Sequence, residues 1–297
     1  MQNLIEKAIK NSPAEEPWNG YYMVRALSME NLLNFIGVKS FGRVLDVGCG
    51  NAYNAYLLSG RSTEVIAADL YCENSQTHTV GLDKAKKLIC NLKTDNIRLC
   101  SSSMEDISFK DNTFDVVYAA NVLQYLKNKQ PALNEIKRVL KKDGIAILVV
   151  PNFLERIYAF FQFYIYMAIK AFQVITDKCS KHNAKKTVAT DNMTEKISNF
   201  KKNYKYFPWP GPHGAYANSA VELVRHLPTN WNREAKQCGF EIKKKFTTNF
   251  LPTPLLLTIS VRLTSVMKLI FQPFVRVCGD KPIMKFLGNN YCLLIKK

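Results

Sequence analysis

"VLDVGCGNAYNAYLL", residues 44–58, joins an apolar, β-branched run to glycines at 48 and 50 and then to a helical pattern. A strand, glycine turn and helix in that order place backbone amides and a helix start beside any ligand at the strand's carboxyl end. Similar short runs recur through the first half of the chain. They are "RVLDVG" (43–48), "EVIAAD" (64–69), "NIRLCS" (96–101), "FDVVYAA" (114–120) and "GIAILVV" (144–150), each bounded by turn or polar residues. Helical patterns separate them: "AYNAYLLSG" after the first run, "GLDKAKKLICNL" after the second and "ALNEIKRVLKK" before the fifth. This alternation predicts an α/β fold in which helices cover both faces of a parallel sheet, with ligands beyond the carboxyl ends of the strands.

At 297 residues, 47% hydrophobic and 22% charged, the chain has the composition of an ordinary folded body and excludes a fibrous or disordered one. Its eight cysteines form no CxxC or other metal-ligand spacing, which predicts reduced thiols in a cytoplasm and no metal site. The start, "MQNLIEKAIKNSPAEEPW", carries Glu6 inside its one apolar patch and no cleavage pattern, so no signal peptide is expected. Charge is unevenly divided. Residues 1–150 hold 18 basic against 16 acidic side chains, and residues 151–297 hold 23 against 8, so nearly all of the net +17 belongs to the second half. Such asymmetry points to an anionic partner or, as the plain alternative, to solvated lysines.

The spacing of the glycines narrows the ligand. The dinucleotide pattern GxGxxG fails here, because Tyr53 stands at the third glycine's place. Asp46, two residues before Gly48, suits a cationic group better than a pyrophosphate. Asp69 closes the second strand 19 residues after Gly50, where a carboxylate can accept both hydroxyls of a ribose. A ribose and an ammonium in one ligand point to S-adenosylmethionine.

Residues 40–152 resemble the class I S-adenosylmethionine-dependent methyltransferases, in particular the small-molecule branch called type 11. "VLDVGCGNA", "VIAADL", "SSSMEDISFKDNTFDVVYAANVLQYL" and "EIKRVLKKDGIAILVVPN" follow in that family's order and spacing. The resemblance implies a Rossmann-like, seven-stranded, mostly parallel sheet and S-adenosyl-L-methionine as cofactor. It gives the methionine portion to Asp46, Gly48, Cys49 and Gly50, the ribose to Asp69, and the adenine to Leu70, Ser103 and Met104. Asn121, in the "YAANV" turn, joins the same set. Three positions depart from the family pattern: Ala52 for a third glycine, Ser103 for an aspartate, and Tyr125 for a histidine.

After Pro151 the resemblance thins, and the acceptor should be chosen there. Residues 1–40 are expected to form an N-terminal helical cap. Residues 41–297 should form the methyltransferase domain, with helical lid insertions at 153–229 and 248–288, after strands five and six. The sixth strand is expected at "FEIKKKF" (240–246) and a closing antiparallel one at "NNYCLLIKK" (289–297). The insertions hold "ERIYAFFQFYIYMAIKAFQVIT" (155–176), too short in its apolar run to span a bilayer, and "FLPTPLLLTISVRLTSVMKLIFQPF" (250–274), broken by prolines and cations. They predict either a buried lid or a basic-rimmed cover in peripheral contact with a membrane, and a small-molecule or lipid-linked substrate, glycan-derived molecules included. Nucleic acid is disfavoured as partner: no NPPY-like tetrapeptide follows the fourth strand and no Pro-Cys pair occurs, which leaves RNA methylation, like a non-catalytic binding module, as an alternative. Of the histidines 78, 182, 213 and 226, His213 alone sits in a Pro/Gly-rich loop of the expected lid, "PWPGPHG", and is the general-base candidate, with Tyr125 beside it in rank. Tyr21, Tyr22 and Arg25 are weaker candidates for walls of the site.

Overall fold

The computed structural model describes residues 19–71, 82–92, 94–161, 163–165, 168, 211–249 and 273–297. Residues 1–18 of the expected cap, most of both expected insertions, His78 and His182 lie outside them.

Seven strands form one sheet: β1 (Phe41–Val47), β2 (Ser62–Asp69), β3 (Ile97–Ser101), β4 (Phe114–Ala120), β5 (Leu140–Pro151), β6 (Glu241–Phe246) and β7 (Asn290–Lys296). Their order is β3-β2-β1-β4-β5-β7-β6. The first five pair in parallel, and β7 runs antiparallel to both β5 and β6. The order reverses between β1 and β4, so the carboxyl ends of these two strands flank the crevice where doubly wound sheets bind ligands.

Both faces of the sheet are covered, which is why its strands read as nearly continuous apolar runs. Alternation along each strand assigns residues to the two faces. Val44, Val65, Val116 and Ile147 face one core with helices α1 (Asn19–Ile36), α2 (Tyr53–Ser59) and α3 (Leu82–Leu92). Leu45, Ile66, Val117 and Leu148 face the other, with α4 (Gln130–Val139) and, among the later helices, α7 (Pro228–Gln237). Asp46 falls in the alternation on the α1–α2 side.

Most element boundaries fall within two residues of expectation, and the largest difference is at the end of α4. The helical pattern "ALNEIKRVLKK" gives way at Val139, and residues 140–143 belong to β5. Leu140, fully buried, pairs with Phe114, and Lys141 reaches Asp115 at 2.7 Å, so strand pairing wins over a lysine-rich helical end. After β5 a helix begins at residue 153 and runs through 161 (α5). Then come α6 (Ser219–Arg225) and α7, a helical stretch at 273–278 (α8), and the single turn α9 (Met284–Leu287).

Candidate active site

The turn after β1 is held by backbone geometry that few residues tolerate. Gly48, Gly50 and Ala52 have φ of 70°, 57° and 59°, all in the left-handed region. A Cβ on Gly48 would fall 2.4 Å from a Val122 methyl, whereas one on Gly50 would meet nothing within 4 Å. Gly48 therefore permits close packing against the β4 end, and Gly50 opens the mouth of the turn. Ala52 shows why a third glycine is usual here, since an L-residue in this conformation costs about 1–2 kcal/mol.

Hydrogen bonds fasten the turn to β2. The amides of Gly48 and Cys49 both donate to the Ala68 carbonyl, at 2.8 and 3.1 Å. The Gly50 amide donates to Asp69 Oδ2 at 2.7 Å, and the Leu70 amide to Oδ1 at 2.8 Å. Each Asp69 oxygen keeps a lone pair for a further donor such as a ribose hydroxyl. Leu70 stands 56% exposed beside it, an apolar side chain with no cover among the described residues. The Ser102 amide bonds back to the Asp69 carbonyl, which brings the turn at 102–106 to the same rim. There Ser103 Oγ accepts the Glu105 amide, and the Met104 side chain is buried in the second core.

Asp46 lies beneath this mouth. It is buried, and neither carboxylate oxygen has a hydrogen-bond partner. Burial pushes its pKa up to about 7 against the pull of the Arg25 guanidinium, with smaller opposing effects from the Asp69 charge and the nearby Ala55 amide. A buried carboxyl without donors is costly unless a cation joins it. Cys49 is buried, its Sγ 3.2 Å from the Tyr71 hydroxyl, and burial holds its thiol well above the ordinary range, so its backbone rather than its sulfur serves the turn. Helix α1 closes the side of the turn: Tyr22 takes the Asn51 side-chain amide at 2.7 Å, and Arg25 lies over the Tyr53 ring. The side chain of Tyr21 lies outside the described residues.

At the end of β4, Asn121 is left-handed (φ 52°) and its amide bonds Val149. A single 3₁₀ turn, Leu123–Tyr125, follows Val122. The Tyr125 hydroxyl lies 3.0 Å from His213 Nε2. These two residues, 88 apart in the sequence, meet because the 211–216 loop docks on the 3₁₀ turn: the Ala215 amide donates to the Gln124 carbonyl at 2.9 Å. A Cβ on Gly214 would come within 2.5 Å of that carbonyl. Gly214 thus permits close approach of the loop to the 3₁₀ turn.

Behind the loop stands a carboxylate that sequence reasoning missed. Glu222, on α6 and fully buried, accepts the His213 amide with both oxygens at 3.1 Å. Arg156, from α5, puts Nε 2.9 Å from Glu222 Oε2 and donates from Nη2 to the Gly211 carbonyl at 3.1 Å. Burial pushes the Glu222 carboxyl up, and Arg156 and the His213 amide pull it back. His226, one turn further along, is buried and pushed down to about 3 by burial and then by the charges of Arg156, Lys129 and His213. It stays neutral and stacks on Trp231 as a core residue.

Comparison with known proteins agrees with this geometry. Residues 45–148 match a family model described as a methyltransferase domain. This segment is a methyltransferase domain. Over 143 residues the chain is 32% identical to demethylmenaquinone methyltransferase of Staphylococcus carnosus, covering 45% of this chain and 56% of that protein. It is 36% identical over 109 residues to an uncharacterised protein of Methanocaldococcus jannaschii, covering 37% of this chain and 40% of the other. The chain thus spans about half the length of these curated relatives. The crystal structure of the [4+2]-cyclase SpnF superposes with a TM-score of 0.50 at 16% identity over 92% of this chain and 82% of that one, a likeness of fold alone. S-adenosylmethionine is the cofactor of this family, and the residues present fit it. The partnerless Asp46 carboxylate suits its ammonium, Asp69 its ribose, and the open space at Gly50 a ligand lying across the turn.

Two predictions follow from the charges. Because the folded-state pKa of Asp46 lies above the ordinary 3.8, apo stability should fall as pH rises from about 4 through 7 and level off above it. Binding of S-adenosylhomocysteine should tighten from pH 6 to 8 with release of a proton, and Asp46→Asn should flatten both trends in urea melts and calorimetry. Arg156→Met leaves Glu222 buried without its counter-charge and should cost about 3 kcal/mol, the low end for such pairs because Glu222 can take up a proton. The double variant Arg156→Met/Glu222→Gln should recover part of that loss in urea denaturation.

Proposed function

We propose that the chain transfers a methyl group from S-adenosylmethionine to a small-molecule acceptor carrying an apolar, lipid-like portion. The observation that carries this reading is the buried, partnerless Asp46 carboxylate under an open glycine turn, with the Tyr125–His213 pair on the same rim. Gly48 packs on Val122, three residues before Tyr125, so the two halves of the site are adjacent. When bound, the cofactor would supply an electrophilic methyl on a sulfonium, which an in-line nucleophile takes as the neutral thioether S-adenosylhomocysteine leaves. The protein's part is to align that nucleophile and to remove its proton where it carries one. With Nε2 of His213 unprotonated, the Tyr125 hydroxyl donates to it. A proton leaving the acceptor passes to the Tyr125 oxygen as Tyr125 passes its own to His213.

The acceptor class rests on the second half of the chain, whose surplus of cations and apolar tracts suits an acceptor with a lipid-like portion. The similarity to a demethylmenaquinone methyltransferase supports a small-molecule acceptor, because that protein is named for methylating demethylmenaquinone.

Calorimetry with S-adenosylhomocysteine and with NAD tests the cofactor. The former should bind more tightly, and Asp69→Ala should weaken it by about 1.5–3 kcal/mol. Tighter binding of NAD overturns the reading. His213→Ala should lower transfer of labelled methyl groups into a lipid extract by about 10²–10⁴ while leaving S-adenosylhomocysteine affinity unchanged. Full transfer by that variant removes His213 from the mechanism.

A further inference from the structure

Exposed apolar side chains are not scattered over this molecule. Among the described residues, the large exposed ones are Leu70, at the cofactor rim, and others that all follow β5. Half of the whole set falls within residues 273–287: Phe274, Val277, Ile283, Phe286 and Leu287. Val277 and Ile283 are 70% and 71% exposed, and it is the clustering of five such side chains in fifteen residues, rather than any one of them, that marks an interaction site. Their spacing is that of a face: Phe274 and Val277 are one turn apart, and Ile283, Phe286 and Leu287 stand at i, i+3 and i+4.

The backbone that presents them is firmly tied. Val275, Gly279 and Gly288 are buried beneath the exposed side chains. The Thr247 amide, just after β6, donates to the Gly279 carbonyl at 2.9 Å. Asn152, just after β5, donates from its side-chain amide to the carbonyls of Lys285, Phe286 and Gly288 at 2.8, 3.2 and 2.8 Å. Both anchors sit at the carboxyl ends of their strands. The apolar face is therefore fixed on the rim that also carries the glycine turn and the Tyr125–His213 pair.

Cations border this face. Lys245 and Lys285 share a cavity of 360 Å³ with Lys243, Lys244, Phe35 and the single acid Asp280. Lys243 pairs with Glu241 and Lys244 donates to the Phe35 carbonyl, while Lys245, Lys281 and Lys285 form no ion pair with another described residue. Burial lowers the Lys285 pKa and the neighbouring Lys245 lowers it further, against the smaller opposing pull of Asp280, so cations outnumber acids here. Apolar tips bordered by lysines in excess over acids complement an anionic interface, where such tips can enter the acyl boundary and ammonium groups reach the headgroups. Among the described residues no helix is long and apolar enough to cross a membrane.

We propose that residues 273–287, with Lys245 of the edge strand, dock the protein on an anionic lipid bilayer with the acceptor rim turned toward it. The purpose of that orientation, collection of a lipid-borne acceptor, rests on the proposed function; the docking surface itself does not.

Sedimentation of the full chain with phosphatidylcholine vesicles, with and without phosphatidylglycerol, is the test. Binding should occur only with phosphatidylglycerol and weaken as salt rises. Val277→Ser/Ile283→Ser should reduce it by about tenfold or more, Lys281→Glu should also weaken it, and Val224→Ser, an exposed site on α6, should leave it unchanged. S-adenosylhomocysteine affinity should be the same in every variant, which shows that the fold is retained. No vesicle binding by the unaltered chain, or binding that ignores the double variant, overturns the proposal. So does a dimer in sedimentation velocity that Val277→Ser/Ile283→Ser dissolves without any vesicle contact. Failure to bind S-adenosylhomocysteine would overturn the proposed function and leave the vesicle result standing.

Discussion

A single hydrogen bond, from the Gly50 amide to Asp69 Oδ2, fixes the relation on which the cofactor side of the molecule depends. It ties the carboxyl end of β1 to that of β2, and with the two amides held by the Ala68 carbonyl it leaves the turn one way to run. The positive φ angles follow from that path, and so does the burial of Asp46 beneath it. The same bond orients the Asp69 carboxylate, because one oxygen is spoken for by Gly50 and the other by Leu70. The carboxylate is thus held in one orientation by the backbone, and a ligand group meeting it would lose little ordering entropy on binding.

Much of this half was legible in the residues because parallel sheets are covered on both faces. Runs such as Val44–Val47 and Ala146–Val150 can hardly be anything but central strands, and the seven-stranded order follows the family resemblance. The glycine spacing carried the ligand class, since only small residues fit where Gly48 meets Val122. The end of α4 was misjudged because lysines 141 and 142 fit a helix as well as a strand, and the pairing of Leu140 with Phe114, invisible in the local pattern, decided it. His213 stood out for its loop and Tyr125 for its departure from the family, but nothing in the sequence announced that they touch. Glu222 was missed for a different reason. It reads as one acid in an amphipathic helix, and its importance comes from Arg156, 66 positions away, and from the backbone of His213.

The contrast between the two halves is physical. Residues 45–148 match a widely shared methyltransferase domain, and the match does not extend to the segments after β5. The likeness to a [4+2]-cyclase makes the point from the other side, since a common sheet is compatible with quite different chemistry on its rim.

The Arg156–Glu222 pair has a dynamic corollary. It links α5, the 211–216 loop and α6 through one buried charge and the amide it accepts. Loss of that charge would release all three together, which makes them a natural unit of local opening.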